Sequence, residues 1–286
     1  MKKKSIALIL AVLTVVMCFV FAACGGTGNK ETTAPAGDET TVATADSDLD
    51  YIKNKGKLVI GYTIFAPMNY EDENGDLIGF ETEFAKAVCK ELGVEADFQL
   101  ISWAAKETEL KSKNIDCIWN GMTIDADRKA AMEITNAYMK NKQVLVVKAE
   151  NADKYLTADA LDGVAIVAEQ KSAGETVATT EAIFAKAAFT AVKDQATALK
   201  EVKSGVSQGA VVDYVTSIGM IGEGTSYEDL VVVDELVFQE EEYGIAFRKG
   251  SDATAKVNEI ISKLAANGEL KKIAEKYELA EQLIAK

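Results

Sequence analysis

The chain has 286 residues, 48% hydrophobic, 27% charged and 7% aromatic, with two prolines. This is an ordinary globular composition, which excludes collagen-like, mucin-like and disordered classes for most of the length. Acidic residues outnumber basic ones 45 to 31, a formal charge of −14, and histidine is absent. The charge argues against a nucleic-acid partner, and the missing histidine removes His triads, His metal sites and His acid–base chemistry. No cofactor and no metal are expected.

Lys2, Lys3 and Lys4 precede an uncharged, mostly apolar run from Ser5 to Ala23, and the small residues Ala22 and Ala23 stand directly before Cys24. A charged start, an apolar middle and a small-residue end describe a secretory signal over residues 1–23. Ala22-Ala23-Cys24 also resembles a bacterial lipobox, with Phe21 where leucine is usual, and this makes Cys24 the expected lipid anchor. Residues 24–48 are rich in Thr, Ala, Gly and Asp with almost no large apolar side chain, so they are expected to form a flexible tether. Cys89 and Cys117 then remain in the folded part, where nothing in their spacing demands a disulfide; two buried free thiols are expected.

From Asp48 onward, strand and helix patterns alternate. Leu58–Tyr62 is a β-rich run. Residues 68–73 and 76–80 flank Asn74-Gly75 and predict a hairpin with a type I′ turn. Phe84, Val88 and Leu92 recur at helical spacing before Gly93. Asp97–Leu100 is a strand, Lys106–Ser112 a helix, and Asp116–Trp119 a strand ending at Asn120-Gly121. A second set follows: strand Gln143–Lys148, a short helical turn at 158–163, strand Val164–Ala168, helix Glu175–Ala187, helix Ala196–Ser204 and strand Ala210–Asp213. Residues 219–224 read as a glycine-rich loop, 230–233 and 236–248 as extended, and 252–277 as helical with a break at Asn267-Gly268. The order predicts mostly parallel sheets with helical crossovers in two α/β lobes.

Asp72, Asn74, Asp76 and Glu83 match part of a calcium-loop spacing, but Leu77 stands where that loop needs glycine, so the hairpin reading is preferred. The stronger constellation runs from Asp116 to Arg128. A strand reaches Gly121, where the backbone can approach a ligand closely. Thr123 follows, and Asp125 can cap a helix whose third residue is Arg128. A hydroxyl, helix N–H groups and a guanidinium would then gather at the carboxyl end of a strand, an arrangement suited to a carboxylate. The plain alternative is a surface ion pair between Arg128 and its acidic neighbours.

The segment from Ser102-Trp103 through Gly121-Met-Thr-Ile to Arg128 resembles the polar amino-acid solute-binding proteins of ABC importers. So do the hairpin at Asn74–Phe80, Leu161-Asp-Gly163, Val211-Val-Asp213, Tyr243–Lys249 and Asn267-Gly268 with Lys276-Tyr277, in order and nearly throughout Asp48–Tyr277. The resemblance implies an α/β, two-lobed, periplasmic-binding-protein-like (type II) fold, with two mixed sheets joined by two crossover strands. The implied lobes are 49–139 plus 242–286, and 140–241, hinged at Lys140–Gln143 and Phe238–Glu242. It implies an extracytoplasmic, lipid-anchored monomer of a Gram-positive-type envelope that closes on one amino acid and docks on an ABC permease. Arg128, Thr123 and the amide near Gly121 would hold the α-carboxylate, and Asp213 the α-ammonium. Phe65 and Trp103 would sandwich the side chain. Asn120 is a candidate partner for a polar side chain, and Ala173 and Gly174 could offer only backbone N–H. Tyr62, standing where relatives that bind cationic amino acids tend to carry an acid, argues against Lys or Arg, and a neutral polar substrate is expected. The alternative is a dehydratase of a small carboxylic acid on the same scaffold, with Glu169, Glu175, Lys171 or a tyrosine as its acid or base.

Overall fold

The computed structural model describes residues 47–286. The expected signal, Cys24 and all but the last two residues of the expected tether lie outside them. Among the described residues no helix is long and apolar enough to cross a membrane, and no cluster of acidic or sulfur side chains could hold a metal ion.

The first described element is a helix, where the sequence predicts only the end of a tether. In α1 (Asp48–Lys55) the Ser47 hydroxyl accepts from the Asp50 amide, and Gly56 closes the other end at φ 73°. Ser47 and the Leu49 N–H both bond to Asp252, and Asp48 pairs with Arg248. These tertiary contacts, rather than helical periodicity, hold the segment, and they end the tether two residues early.

β1 (Lys57–Tyr62) leads to the hairpin β2 (Tyr70–Glu71) and β3 (Leu77–Ile78). The turn differs from the expected type I′. Gly75 has a positive φ of 83°, whereas Asn74 does not, and the Gly75 N–H donates to the Asp72 carbonyl while the Asp72 N–H donates to that of Asp76. This is a type I turn followed by a glycine bulge. The Asp72 carboxylate accepts from the amides of Asn74 and Asp76 at 2.8 and 2.9 Å, so it holds the turn.

α2 (Phe80–Leu92) stops at Gly93, as the spacing predicts. β4 (Glu95–Leu100), α3 (Lys106–Lys111), β5 (Cys117–Thr123), α4 (Ala126–Ala131) and β6 (Met132–Ile134) follow. β5 does not end at Gly121 but runs through it to Thr123. β7 (Met139–Lys148) and β8 (Ala165–Glu169) come next; residues 158–163 between them form turns, not a helix. The helix expected over 175–187 is α5 (Ala173–Thr180), and the strand β9 (Ala188–Val192) was not anticipated. α6 (Gln195–Ser204) and β10 (Gly209–Asp213) match their patterns. Gly219 and Met220 end a helix, α7 (Tyr214–Met220), rather than open a loop. β11 (Leu230–Arg248) is one long strand with two register shifts against β7 and one against β5, and α8 (Ala253–Ala266) and α9 (Glu269–Lys276) close the fold.

The strands order as β4-β1-β5-β11-β7-β10-β8-β9, with β6 on β11, in a nine-stranded sheet; β2 and β3 stand apart. β4, β1 and β5 are parallel, and so are β10, β8 and β9. Between these halves β11 and β7 lie antiparallel to each other and to their neighbours. The two expected sheets are therefore halves of one ladder, joined by the two strands in which the crossovers were expected. β7 shows why the second half forms: Val144 and Val146 enter one core while Leu145 and Val147 enter another. Successive side chains alternate faces, so an unbroken apolar run buries both sides of a strand. In the first half Leu58, Ile60, Cys117 and Trp119 pack on one face, and Val59 and Ile118 on the other. Cys89 and Cys117 are buried free thiols, and burial pushes the Cys89 thiol up to about 12.

Candidate functional site

A small cavity of about 10 Å³ lies where the two halves face each other. Its lining comes from Trp103, Asn120, Gly121, Thr123 and Arg128 of the first half and from Glu169, Ser172, Ala173, Gln195 and Asp213 of the second. The volume is about that needed by one water molecule, so the cleft is shut. Three lining residues, Thr123, Glu169 and Asp213, end β5, β8 and β10. Carboxyl ends of strands are where α/β sheets collect their ligands.

Arg128 sits where the spacing puts it. The Asp125 carboxylate caps α4 by accepting from the Arg128 amide at 2.7 Å. The guanidinium donates from Nη1 to the Thr123 carbonyl at 3.0 Å, and its Nε lies 3.2 Å from Asp125. The ion pair of the plain reading therefore exists, but the arginine side chain is only 11% exposed and also lines the cavity. Its Nη2 has no acceptor among the described residues.

Asp213 is held more elaborately than its sequence context suggests. Its Oδ1 accepts from Asn141 Nδ2 at 2.7 Å, Gln143 Nε2 at 2.7 Å and the Tyr243 hydroxyl at 2.8 Å. Its Oδ2 accepts from Gln195 Nε2. Asn141 and Gln143 also donate to Glu241, whose carboxyl is pushed up to about 8 by burial and by the nearby Asp213 charge. Asn141, Gln143, Gln195, Tyr243 and Glu241 were all missed as site residues. A signal existed for Gln143, which faces Asp213 directly across the β7–β10 pair, but that pairing is not legible in one dimension.

Other expected residues occupy different places. The Gly121 N–H does not face the cavity; it donates at 2.8 Å to Glu81, a buried carboxyl that also accepts from Asn69 and Tyr138. Burial pushes Glu81 up to about 7 despite these three donors. Asn120 lines the cavity, but its amide is already paired, donating to the Thr63 hydroxyl and accepting from the Thr63 and Asn69 amides. Phe65 does not line the cavity and makes no sandwich with Trp103. It belongs to the main core, against Gly121, where a Cβ would come 2.5 Å from its ring. Gly121 takes φ 57° at this close approach, a conformation that favours glycine, and the contact with the Phe65 ring leaves no room for a Cβ. The Trp103 ring instead has Lys106 Nζ 4.5 Å from its centroid.

Ala173 lines the cavity at the start of α5, whereas Gly174 lies behind it, where a Cβ would meet the Val211 carbonyl at 2.7 Å. The Ser172 hydroxyl caps that helix by accepting from the Glu175 amide at 3.1 Å. The N–H groups of Ala173 and Gly174 are first-turn donors with no helical acceptor. Tyr62 packs edge-on against Phe98, outside the cavity lining. Of the acids considered for an enzyme, Glu169 lines the cavity, while Glu175 accepts from the Lys171 amide. Lysines cross the cleft mouth reciprocally: Lys106 Nζ donates to the Lys171 carbonyl and Lys171 Nζ to that of Ala104, each at 3.2 Å.

The family model for bacterial extracellular solute-binding proteins, family 3, matches residues 58–280. An L-cystine-binding protein of Escherichia coli, TcyJ, is 28% identical over 236 residues, covering 80% of this chain and 85% of that protein. The glutamine-binding protein GlnH of an ABC transporter of Bacillus subtilis is 27% identical over 277 residues, covering 94% and 95%. Among solved structures, the ancestral amino acid-binding protein AncCDT-1, a precursor of cyclohexadienyl dehydratase, superposes with a TM-score of 0.73 at 30% identity, covering 81% of this chain and 99% of that one. A mutant of an arginine-binding protein from T. maritima gives 0.73 at 27%, with the same coverage.

Proposed function

The chain belongs to the bacterial extracellular solute-binding proteins of family 3, on a type II periplasmic-binding fold, and on that premise we propose that it captures a neutral polar amino acid for an ABC permease by closing two lobes over it. The observation that carries this reading is a guanidinium and a carboxylate, from opposite halves of the sheet, lining one cavity. An α-amino acid has charges of both signs a few ångströms apart and can bridge such a pair. Arg128 Nη2, the Thr123 hydroxyl and the free N–H groups opening α5 take the α-carboxylate. Asp213 takes the α-ammonium on Oδ2, since three donors already fill Oδ1. Charge-assisted hydrogen bonds contribute roughly 1.5–3 kcal/mol each, so several offset the cost of ordering and reach micromolar affinity or better.

In this reading the lobes are residues 49–139 plus 242–286, and 140–241. The hinges are Lys140–Gln143 and Phe238–Glu242, which run side by side where β7 pairs with β11. A ligand favours the closed form only through contacts it makes better there, and Asp213 on the second lobe supplies such contacts. Cys24 anchors a monomer to the membrane, and the closed form is what the permease recognises.

The test is a thermal-shift screen of the full chain in mild detergent against the twenty amino acids and cystine, with mass spectrometry of the ligand afterwards. A ligand that binds only the native state raises the melting temperature. A shift with one or a few amino acids, recovered unchanged, supports the proposal. No shift with any of them refutes it, and a chemically altered ligand turns the reading towards the dehydratase.

A further inference from the structure

Two buried polar atoms on cavity-lining residues have no partner. Trp103 Nε1 and Glu169 Oε1 are hydrogen-bonded to nothing among the described residues. Both residues are 4% exposed, and both line the cavity. A buried polar group left unpaired is costly, and each such group in a native protein calls for an explanation. The rest of the lining is accounted for. Arg128 and Asp213 form the two charged poles, and both ends of the Asn120 amide are paired. Gln195 Oε1 accepts from the Asp213 amide and the Thr216 hydroxyl, and Ser172 caps α5. What remains is one donor, on Trp103, and one carboxyl, on Glu169.

The charge state of that carboxyl follows from its surroundings. Lys106 is the nearby cation, but its ammonium is turned to the carbonyls of Trp103 and Lys171 and makes no ion pair with Glu169. Asp213 and Asp194 oppose a further negative charge. Burial first and these two acids second push the Glu169 carboxyl up to about 8. At neutral pH it therefore keeps its proton, and a protonated carboxyl both donates and accepts.

We infer that Trp103 and Glu169 form the side-chain subsite, and that it takes an amino acid whose side chain ends in a carboxamide. This rests on the amino-acid-binding reading above and names the substrate class within it. The amide carbonyl takes the Trp103 N–H or the Glu169 O–H, and the amide NH₂ donates to the other Glu169 oxygen. A side-chain carboxylate could accept from the Trp103 N–H or the Glu169 O–H, but it has no donor for the other Glu169 oxygen and would bury a second acid beside it. A cationic side chain would have to drive off the Glu169 proton.

Isothermal titration of the full chain in detergent with L-glutamine, L-glutamate, L-arginine, L-leucine and L-alanine tests this. Titrations run at neutral pH in phosphate and in Tris, whose different ionisation heats report protons released. L-Glutamine is expected to bind at least about tenfold more tightly than the others, with no proton release. Glu169→Leu then loses about tenfold for L-glutamine while L-alanine is unchanged. Glu169→Gln, which still donates and accepts, stays within about threefold, and Trp103→Phe, which removes only the N–H, weakens L-glutamine several-fold. Tightest binding of L-arginine with release of about one proton would overturn the inference and leave the amino-acid reading standing. An unchanged preference for glutamine over leucine in a folded Glu169→Leu protein would do the same. Absence of binding by every amino acid would overturn both.

Discussion

Arg128 and Asp213 have opposite kinds of support, and their substitutions should fail differently. The partners of Arg128 are local, Asp125 and the Thr123 carbonyl, so little of the fold depends on it. Arg128→Ala is expected to lower amino-acid affinity by about a hundredfold, the loss of the charge-assisted contact from Nη2 to the α-carboxylate, with a melting temperature near that of the parent. Asp213 is the acceptor for four side chains from β7, α6 and β11. Asp213→Asn replaces an acceptor-only group by one that also donates, so it should cost both affinity, by about tenfold or more, and several degrees of melting temperature. Calorimetry showing parental affinity in Asp213→Asn would remove the carboxylate from the site.

Helix α7 is one element of the second half that packs against the first. Its Val215 joins the main core, the Val215 amide donates to Asn141 on β7, and Gly219 lies against Pro67. A Cβ on Gly219 would stand 2.6–2.9 Å from three atoms of the Pro67 ring. That ring cannot swing aside as a flexible chain end could, so a side chain at 219 must separate the two elements. Gly219→Val is expected to favour an opened cleft. Small-angle scattering should show a larger radius of gyration, and ligand affinity should fall by about tenfold, because closing now costs energy that binding must supply. The melting temperature without ligand should change little. An unchanged radius with unchanged affinity would show that α7 and Pro67 do not gate closure.

The whole molecule should lose stability as pH rises from mildly acidic to neutral, the reverse of ordinary acid denaturation. Glu81, Glu169 and Glu241 are buried carboxyls pushed up to about 7, 8 and 8 from an ordinary value of 4.5. The folded state then holds protons that the unfolded chain has already released, so stability falls with pH across that window. For Glu81 alone the loss is about 3 kcal/mol, complete once pH passes about 7. Urea unfolding should give a larger free energy at pH 5.5 than at pH 7.5, with a shallower slope in Glu81→Gln. A flat or rising profile in the parent would mean that Glu81 is ionised throughout, with its three donors outweighing burial.

Local chemistry carried much of this protein in its sequence. Glycine stops, the Asp125 cap that sets Arg128, and the continuous apolar run of β7 follow from rules acting over a few residues. Strand-to-helix order predicted the two-lobed class, a motif at a strand end pointed to Thr123 and Arg128, and Asp213 entered only through the family resemblance. What the sequence left open was decided by pairing across distance. α1 stands because Ser47 and Asp48 meet Asp252 and Arg248, some two hundred positions away. The Gly121 N–H, free to take a ligand when judged from its own segment, is claimed by Glu81. Phe65 enters the core because Gly121 leaves it room. Trp103 and Glu169 line one cavity only because β8 ends opposite the Trp103 segment when the cleft is shut. Hydrogen bonds and burial are settled by which groups arrive together in space, and a linear pattern with a range of a few residues cannot contain that information.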